Sequence, residues 1–223
     1  MKKIELMAPA GNFESLQAAI NNGADSVYFG VDQLNMRARA SMNFCMEDLQ
    51  EIANRCHPKG IRTYLTLNTI IYDHDLSVVK TLLQKAKEAN ISAIIASDQA
   101  VIATARQLGL EVHISTQLNV TNIETVKFYS LFADTMVLSR ELSLRQVKKI
   151  TEQIAKENIT GPSGKLVEIE IFGHGALCMA VSGKCYLSLH SHNSSANRGA
   201  CKQNCRKKYI VIDQETGFEI ELD

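Results

Sequence analysis

The 223 residues are 45% hydrophobic and 22% charged, which supplies a real core and excludes a disordered or fibrous chain. Charge is balanced, 24 basic against 24 acidic residues, so any attraction for a polyanion has to be local. The three prolines are scattered and no Ser/Gly-rich tract marks a linker, which predicts one body with an appendage. Met1-Lys2-Lys3 ahead of Ala8-Pro9-Ala10 has the flavour of a leader, but Glu5 interrupts the apolar run. No other segment approaches the length of a membrane span, and a cytoplasmic location without membrane contact is expected.

Short β-type runs alternate with helical periodicity along the chain. Ile4 to Ala8 reads as a strand, and Asn12 caps a helix whose Phe13, Leu16 and Ile20 share a face and whose end is marked by Gly23. Ser26 to Phe29 is the next strand. A helix over Met46 to Cys56 stops at Pro58-Lys59-Gly60, and Ile61 to Leu67 follows as a strand. Asp75 opens a helix through Ala89, Ala93 to Ala96 is a buried-type strand, and Gln99 to Leu108 is helical up to Gly109. Then come strand Glu111 to Ser115, helix Asn122 to Phe132, strand Thr135 to Leu138 and a helix from Ser143 to Lys156, with Ser143 and Gln146 as a capping box. Val167 to Phe172 is the seventh strand. Tyr209 to Asp213 and Phe218 to Leu222 form a β-hairpin around Glu215-Thr216-Gly217.

Seven strands alternating with six helices imply an α/β fold with a mostly parallel sheet, either doubly wound or a (β/α) barrel. No G-x-G-x-x-G follows a strand. Polar residues instead follow many successive strands, at Asn12, Asn68, Ser97, Gln117, Asn119, Ser139, Arg140 and His174, where barrel enzymes place their chemistry. An incomplete TIM-like barrel over 1–175 is therefore expected, followed by a cysteine-rich segment over 176–208 and the hairpin over 209–223. An eighth strand is missing, and the chain is expected to lack a C-terminal part.

Six cysteines in a cytosolic chain favour thiols, catalytic groups or metal ligands over disulfides. Four of them, Cys178, Cys185, Cys201 and Cys205, lie in one C-x6-C-x15-C-x3-C array with Gly175, Gly183 and Gly199 beside them. Four thiolates suit zinc or an iron–sulfur cluster; the C-x2-C knuckles common in zinc sites are absent. Cys45 and Cys56 read as packing residues. Between Ile171 and Ile212 there is no Asp or Glu, while Lys184, Arg198, Lys202, Arg206, Lys207 and Lys208 and three histidines fall there. This is either a solvated basic face or a polyanion contact, with Lys184, Arg198 and Arg206 as candidates for binding substrate.

The run from Glu170 through Phe172, Gly175, Cys178, Gly183, Cys185 and Leu187 to Ser188 closely resembles the signature of the peptidase U32 family. The likeness continues in Asn197-Arg198-Gly199 with Cys201 and Cys205-Arg206, in Met7 to Gly11, in Gly23-Ala24-Asp25 with Val27-Tyr28, and in Leu138 to Leu142, so that it covers nearly the whole chain. Within the family the chain most resembles the branch that makes 5-hydroxyuridine at the wobble position of tRNA. Other branches hydroxylate a ribosomal RNA cytidine or ubiquinone, and some members were named collagenase-like proteases. The resemblance implies that the four cysteines hold a 4Fe-4S cluster and that prephenate supplies the hydroxyl group. Family members run on with a further barrel strand carrying a Lys-Ile-Glu-Gly-Arg-like segment, which this chain lacks.

Several further residues are candidates with structural or functional readings. His174, four residues before Cys178, is a structural histidine, a substrate contact or a hydrogen-bond donor to the cysteine site. Arg140 and Glu141 are an adjacent ion pair, or Arg140 holds a substrate carboxylate such as either of prephenate's two. Arg37 and Arg39, after the second strand, are exposed cations or contacts for carboxylate or phosphate. Gln117 and Asn119 read a base edge or satisfy loop backbone. Glu170, inside a strand, is expected as an inward barrel carboxylate with a basic partner, structural rather than catalytic. An RNA-modifying enzyme is the leading reading. A peptidase is the alternative, without H-E-x-x-H or G-x-S-x-G to support it, and an RNA-binding or maturation factor is a third.

Overall fold

The computed structural model describes residues 4–31, 34–36, 38, 44–175 and 177–222. Seven parallel strands pair strictly in chain order: β1 (Met7–Pro9), β2 (Ser26–Phe29), β3 (Arg62–Leu67), β4 (Ala93–Ala96), β5 (Val112–Ile114), β6 (Thr135–Val137) and β7 (Glu168–Glu170). Six helices alternate with them: α1 (Phe13–Asn21), α2 (Leu49–Cys56), α3 (Leu76–Glu88), α4 (Gln99–Gln107), α5 (Ile123–Ser130) and α6 (Leu144–Glu157). The expected β/α alternation holds, and the sheet curls into a half-barrel whose two edges, β1 and β7, do not pair with each other. Strands β8 (Tyr209–Ile212) and β9 (Glu219–Leu222) make the separate antiparallel hairpin.

Local chemistry sets the helix starts. Asn12 Oδ1 accepts from Ser15 N at 2.7 Å, and Ser143 with Gln146 closes the predicted capping box of α6. The second helix differs from its expected range: Met46–Asp48 is a 3-10 turn, because Asp48 Oδ2 accepts from Cys45 N at 2.7 Å before the α-helix begins at Leu49. The first strand starts later than expected. Leu6 is engaged by Asp25, whose carboxylate accepts its N–H at 2.9 Å, and Ile4 and Leu6, ahead of the strand, are exposed. The seventh strand stops at Glu170, leaving Ile171 and Phe172 exposed.

Because paired residues of parallel strands point to the same side, the register separates two faces. Val27, Leu65, Ile94, Ile114 and Met136 face the helices and join Leu16, Ile52, Leu83 and Val101 in one continuous core. Leu16, Ile52, Leu65, Leu83, Ile94, Val101 and Ile114 are fully enclosed, each contributing about 1.5–3 kcal/mol by leaving water. The concave face is different. Tyr28, Tyr64 and Ala93 align across β2, β3 and β4, and Ile95, His113, Thr135 and Glu168 align across β4 to β7. Tyr64, Ala93 and Ile95 form a small second cluster with Met7 and Tyr28, so the inside of the curl is aromatic and polar.

Candidate active site

At the C-terminal ends of β3, β5 and β6 the polar residues predicted to follow strands meet one another. Asn68 Nδ2 donates to Ser115 Oγ and to Gln117 Oε1, both at 3.3 Å, and Asn68 Oδ1 accepts from Met36 N at 3.2 Å. Ser115 Oγ also donates to Gln117 Oε1. Asn119, in the left-handed region at φ 52°, donates to Gln117 O at 2.9 Å and to Ser182 O at 3.0 Å. The Asn119 amide is thus spent on loop backbone, one of its two readings, whereas the Gln117 amide oxygen is taken by the Asn68 and Ser115 side chains. Buried oxygens of Thr69, Thr116 and Asn119 (Oδ1) have no hydrogen-bond partner among the described residues.

Arg140 and Glu141 part company. One arm of the Arg140 guanidinium donates to Ser182 Oγ at 2.7 Å, and its centre lies 5.7 Å from the Phe172 ring. Glu141 instead accepts from Ser139 Oγ, a hydrogen bond that holds its carboxyl below the usual glutamate range, with a smaller contribution from Arg140. Arg140 is half-buried, and among the described residues no carboxylate pairs with it.

Residues 177–208 lie against this mouth through polar contacts. Ser182 is held by Asn119 and Arg140, and a Cβ on Gly183 (φ 72°) would come within 3.0 Å of Gln117 Cβ. Further along, Arg198 donates to Asp75 Oδ2 at 2.5 Å and to Ile70 O at 2.8 Å, and stacks 4.2 Å over the Tyr72 ring. Asp75 is held below its ordinary value, chiefly by that hydrogen bond. Ile70 N donates to Asn197 O at 3.2 Å, and Cys185 N donates to Asn197 Oδ1 at 3.1 Å. Gly199 (φ 79°) packs so closely on the Asn35 carbonyl that a side chain would collide with it. A short helix, α7 (Leu187–His192), lies inside the segment where no helix was expected.

Sequence reasoning missed the anchoring role of Arg198. Its guanidinium is taken up within the chain, whereas Lys184 and Arg206 are exposed. His174 is exposed and has no hydrogen-bond or ion-pair partner among the described residues. Arg37 and Arg39 fall outside the described residues. Cys56 is buried in the core as expected, and Cys45 is half-buried.

Cys178, Cys201 and Cys205 are exposed and Cys185 is half-buried. As a donor set they fit a thiolate-ligated cluster: four sulfurs free of disulfides, on turns of one segment, with Gln203 N–H already donating to Cys201 Sγ at 3.4 Å. Their sulfurs are not gathered onto one point; among the described residues no three His, Cys, Asp or Glu side chains are arranged to hold a metal ion. Nor is any helix among the described residues long and apolar enough to cross a membrane.

Comparison with known proteins places this geometry. A solved structure, the U32 peptidase Mk0906, superposes with a TM-score of 0.58 over 79% of this chain and 95% of its own, at 12% identity, a likeness of fold. A Porphyromonas gingivalis protein named collagenase is 58% identical over 98% of this chain and 53% of its own length. The tRNA hydroxylation protein P of Escherichia coli is 36% identical over 95% of this chain and 45% of its own. A 23S rRNA 5-hydroxycytidine synthase of Escherichia coli is 34% identical over 96% of this chain and 31% of its own. The chain spans about half or less of the length of these relatives. The model of peptidase family U32 matches residues 11–221, and the chain belongs to that family.

Proposed function

We propose that the chain is part of an RNA-modifying enzyme that hydroxylates the wobble uridine of tRNA to 5-hydroxyuridine, with prephenate as the source of the hydroxyl group. One observation carries the reading: a segment free of acidic residues, bearing four cysteines and exposed Lys184, Lys202 and Arg206, is docked over the strand ends where this fold keeps its chemistry. Relatives named for tRNA and rRNA hydroxylation support the substrate class. Cys178, Cys185, Cys201 and Cys205 would hold a 4Fe-4S cluster. Such a cluster, with all four irons ligated by cysteine, supplies electrons rather than an open coordination position.

The chain's own residues divide the remaining work. Lys184, Lys202 and Arg206 meet phosphates, which positions RNA without reading sequence. Arg140 offers the rest of its fork to a carboxylate of a small co-substrate, since Ser182 occupies only one arm.

Two measurements test this reading. Anaerobically purified protein is expected to contain about four irons and four sulfides per chain, lost in Cys185→Ser. Deletion of the gene is expected to remove 5-hydroxyuridine from tRNA hydrolysates, read by mass spectrometry, and unchanged nucleoside in a cell with no second route to it sinks the proposal. The 58% identical relative named collagenase favours a second reading, peptide hydrolysis. Stoichiometric zinc without sulfide, together with peptide cleavage abolished by chelators, would select it.

A further inference from the structure

The concave face of the sheet holds a group of titratable side chains that the docking of the cysteine segment does not use. His113, at the middle of β5, is 3% exposed. Its Nε2 lies 3.2 Å from Glu111 Oε1, its ring packs 4.6 Å from the Tyr64 ring, and its Nδ1 faces Glu170 Oε2 at 3.9 Å. That Nδ1 has no hydrogen-bond partner among the described residues although it is enclosed. Tyr64 in turn donates to Glu5 Oε1 at 2.7 Å, and Glu5 is paired with Arg62.

We propose that Glu170 is a catalytic acid of this enzyme, giving a proton to a carbonyl oxygen of a substrate bound at the strand ends, and that His113 is the positioning residue beneath it. The proposal rests on the enzymatic reading above and adds a residue to it. Three features separate this pair from an ordinary interior ion pair. Glu170 is the last residue of β7, and Leu138 N donates to its carbonyl at 3.0 Å, so Glu170 stands beside the turn that carries Ser139 and Arg140. Its side chain is 23% exposed, and it lies two positions beyond Glu168, which shares a register row with His113, so it stands nearer the strand ends than the closed-off histidine. Burial raises the carboxyl above the ordinary glutamate range, with His113 opposing.

The proton accounting is simple. The Glu170 carboxyl faces His113 Nδ1, the ring nitrogen that has no hydrogen-bond partner among the described residues, while Nε2 lies against Glu111. Rotation of that carboxyl brings its O–H to the substrate oxygen; the Glu170 O–H bond breaks as the substrate O–H bond forms, and no electrons change owner. Glu170, left as carboxylate, takes a proton back from solvent after release. The charged and titratable groups facing the pair are Arg62 and Tyr64 from β3, Glu5 ahead of β1, Tyr28 from β2, Glu111 of the histidine's own strand, and Glu168 on β7.

The test uses the full chain and has two independent readouts. In cells deleted for the gene, Glu170→Gln is expected to lower 5-hydroxyuridine in tRNA about 100-fold or more while melting temperature and iron content stay at wild-type values. His113→Gln is expected to lower it about tenfold and to move the alkaline limb of the pH–rate profile upward, because His113 holds the Glu170 value down. Wild-type activity in Glu170→Gln overturns the proposal. Carboxyl 13C NMR reads the pair without RNA: Glu170 is expected to titrate above an ordinary glutamate and higher still in His113→Gln. A Glu170 signal indifferent to His113 overturns the pairing, even where Glu170→Gln fails to fold. Coupled titration in a protein that leaves tRNA unmodified keeps the pair and discards the RNA reading alone.

Discussion

The β/α body and the cysteine segment are folded by different forces. Between β1 and β7, side chains such as Leu16, Leu65 and Leu83 are fully enclosed, and apolar burial settles the structure. Over 177–208 the enclosed residues are Ser182, Ser188, Ser194, Ala196, Asn197, Ala200 and Asn204, while Leu177, Met179 and Tyr186 are exposed. Ser188 Oγ accepts from Lys202 N at 2.9 Å, Ser194 Oγ donates to Ala200 O at 2.8 Å, and Asn204 donates to Ser191 Oγ at 2.6 Å. Hydrogen bonds of this kind net only about 1 kcal/mol each, so the segment holds its place more weakly than the body it covers. A weakly held, cysteine-bearing cover over a rigid sheet is an arrangement in which a cluster would add most of the local stability.

The largest effect expected from this contrast is in the body. Leu83→Ala should cost about 2–5 kcal/mol, because a filled core position becomes a cavity, and should lower the melting of the whole chain by calorimetry. A melting temperature that did not move would show that the helix-facing core is not the source of stability. Arg198→Ala should cost less, about 1–3 kcal/mol, and do so locally: Asp75 loses its partner, and hydrogen exchange over 177–208 accelerates while β3 and β4 stay protected. The pH dependence has a definite sign. Arg198 depresses the Asp75 value in the folded chain, so the contribution is present above the ordinary value of 3.8 and is lost as pH falls through the lower, folded one. Asp75→Asn should show the loosened segment already at neutral pH, without that acid step. The smallest effect is at a cap: Ser143→Ala should cost about 1 kcal/mol through the lost α6 capping box, a few degrees of melting temperature and no change in the segment's exchange.

Much of this architecture was legible one element at a time. Period-2 and helical patterns located the strands β1 to β7 and the helices α1 to α6, since each is dictated by neighbours a few positions away. Strand ends were less legible: Val167 and Ile171 carry strand-type side chains, yet only Glu168–Glu170 has a partner strand within reach. The cysteine array and the acid-free stretch were equally plain, being properties of composition and spacing. The same local reading offered an Arg140–Glu141 pair from adjacency as one of two alternatives, whereas Arg140 turns to Ser182, 42 positions away.

What the sequence by itself determined was therefore the alternating fold, the capped helices and the residue types available for chemistry. Which of those residues meet was decided by the tertiary structure alone. Arg198 finds Asp75 across 123 positions, and His113 comes to face Glu170 because β5 and β7 flank β6 in a curled sheet. Periodicity records which face of its own element a side chain occupies, but the partner across that face depends on strand order, register and curl, which arise only when the sheet closes on its core.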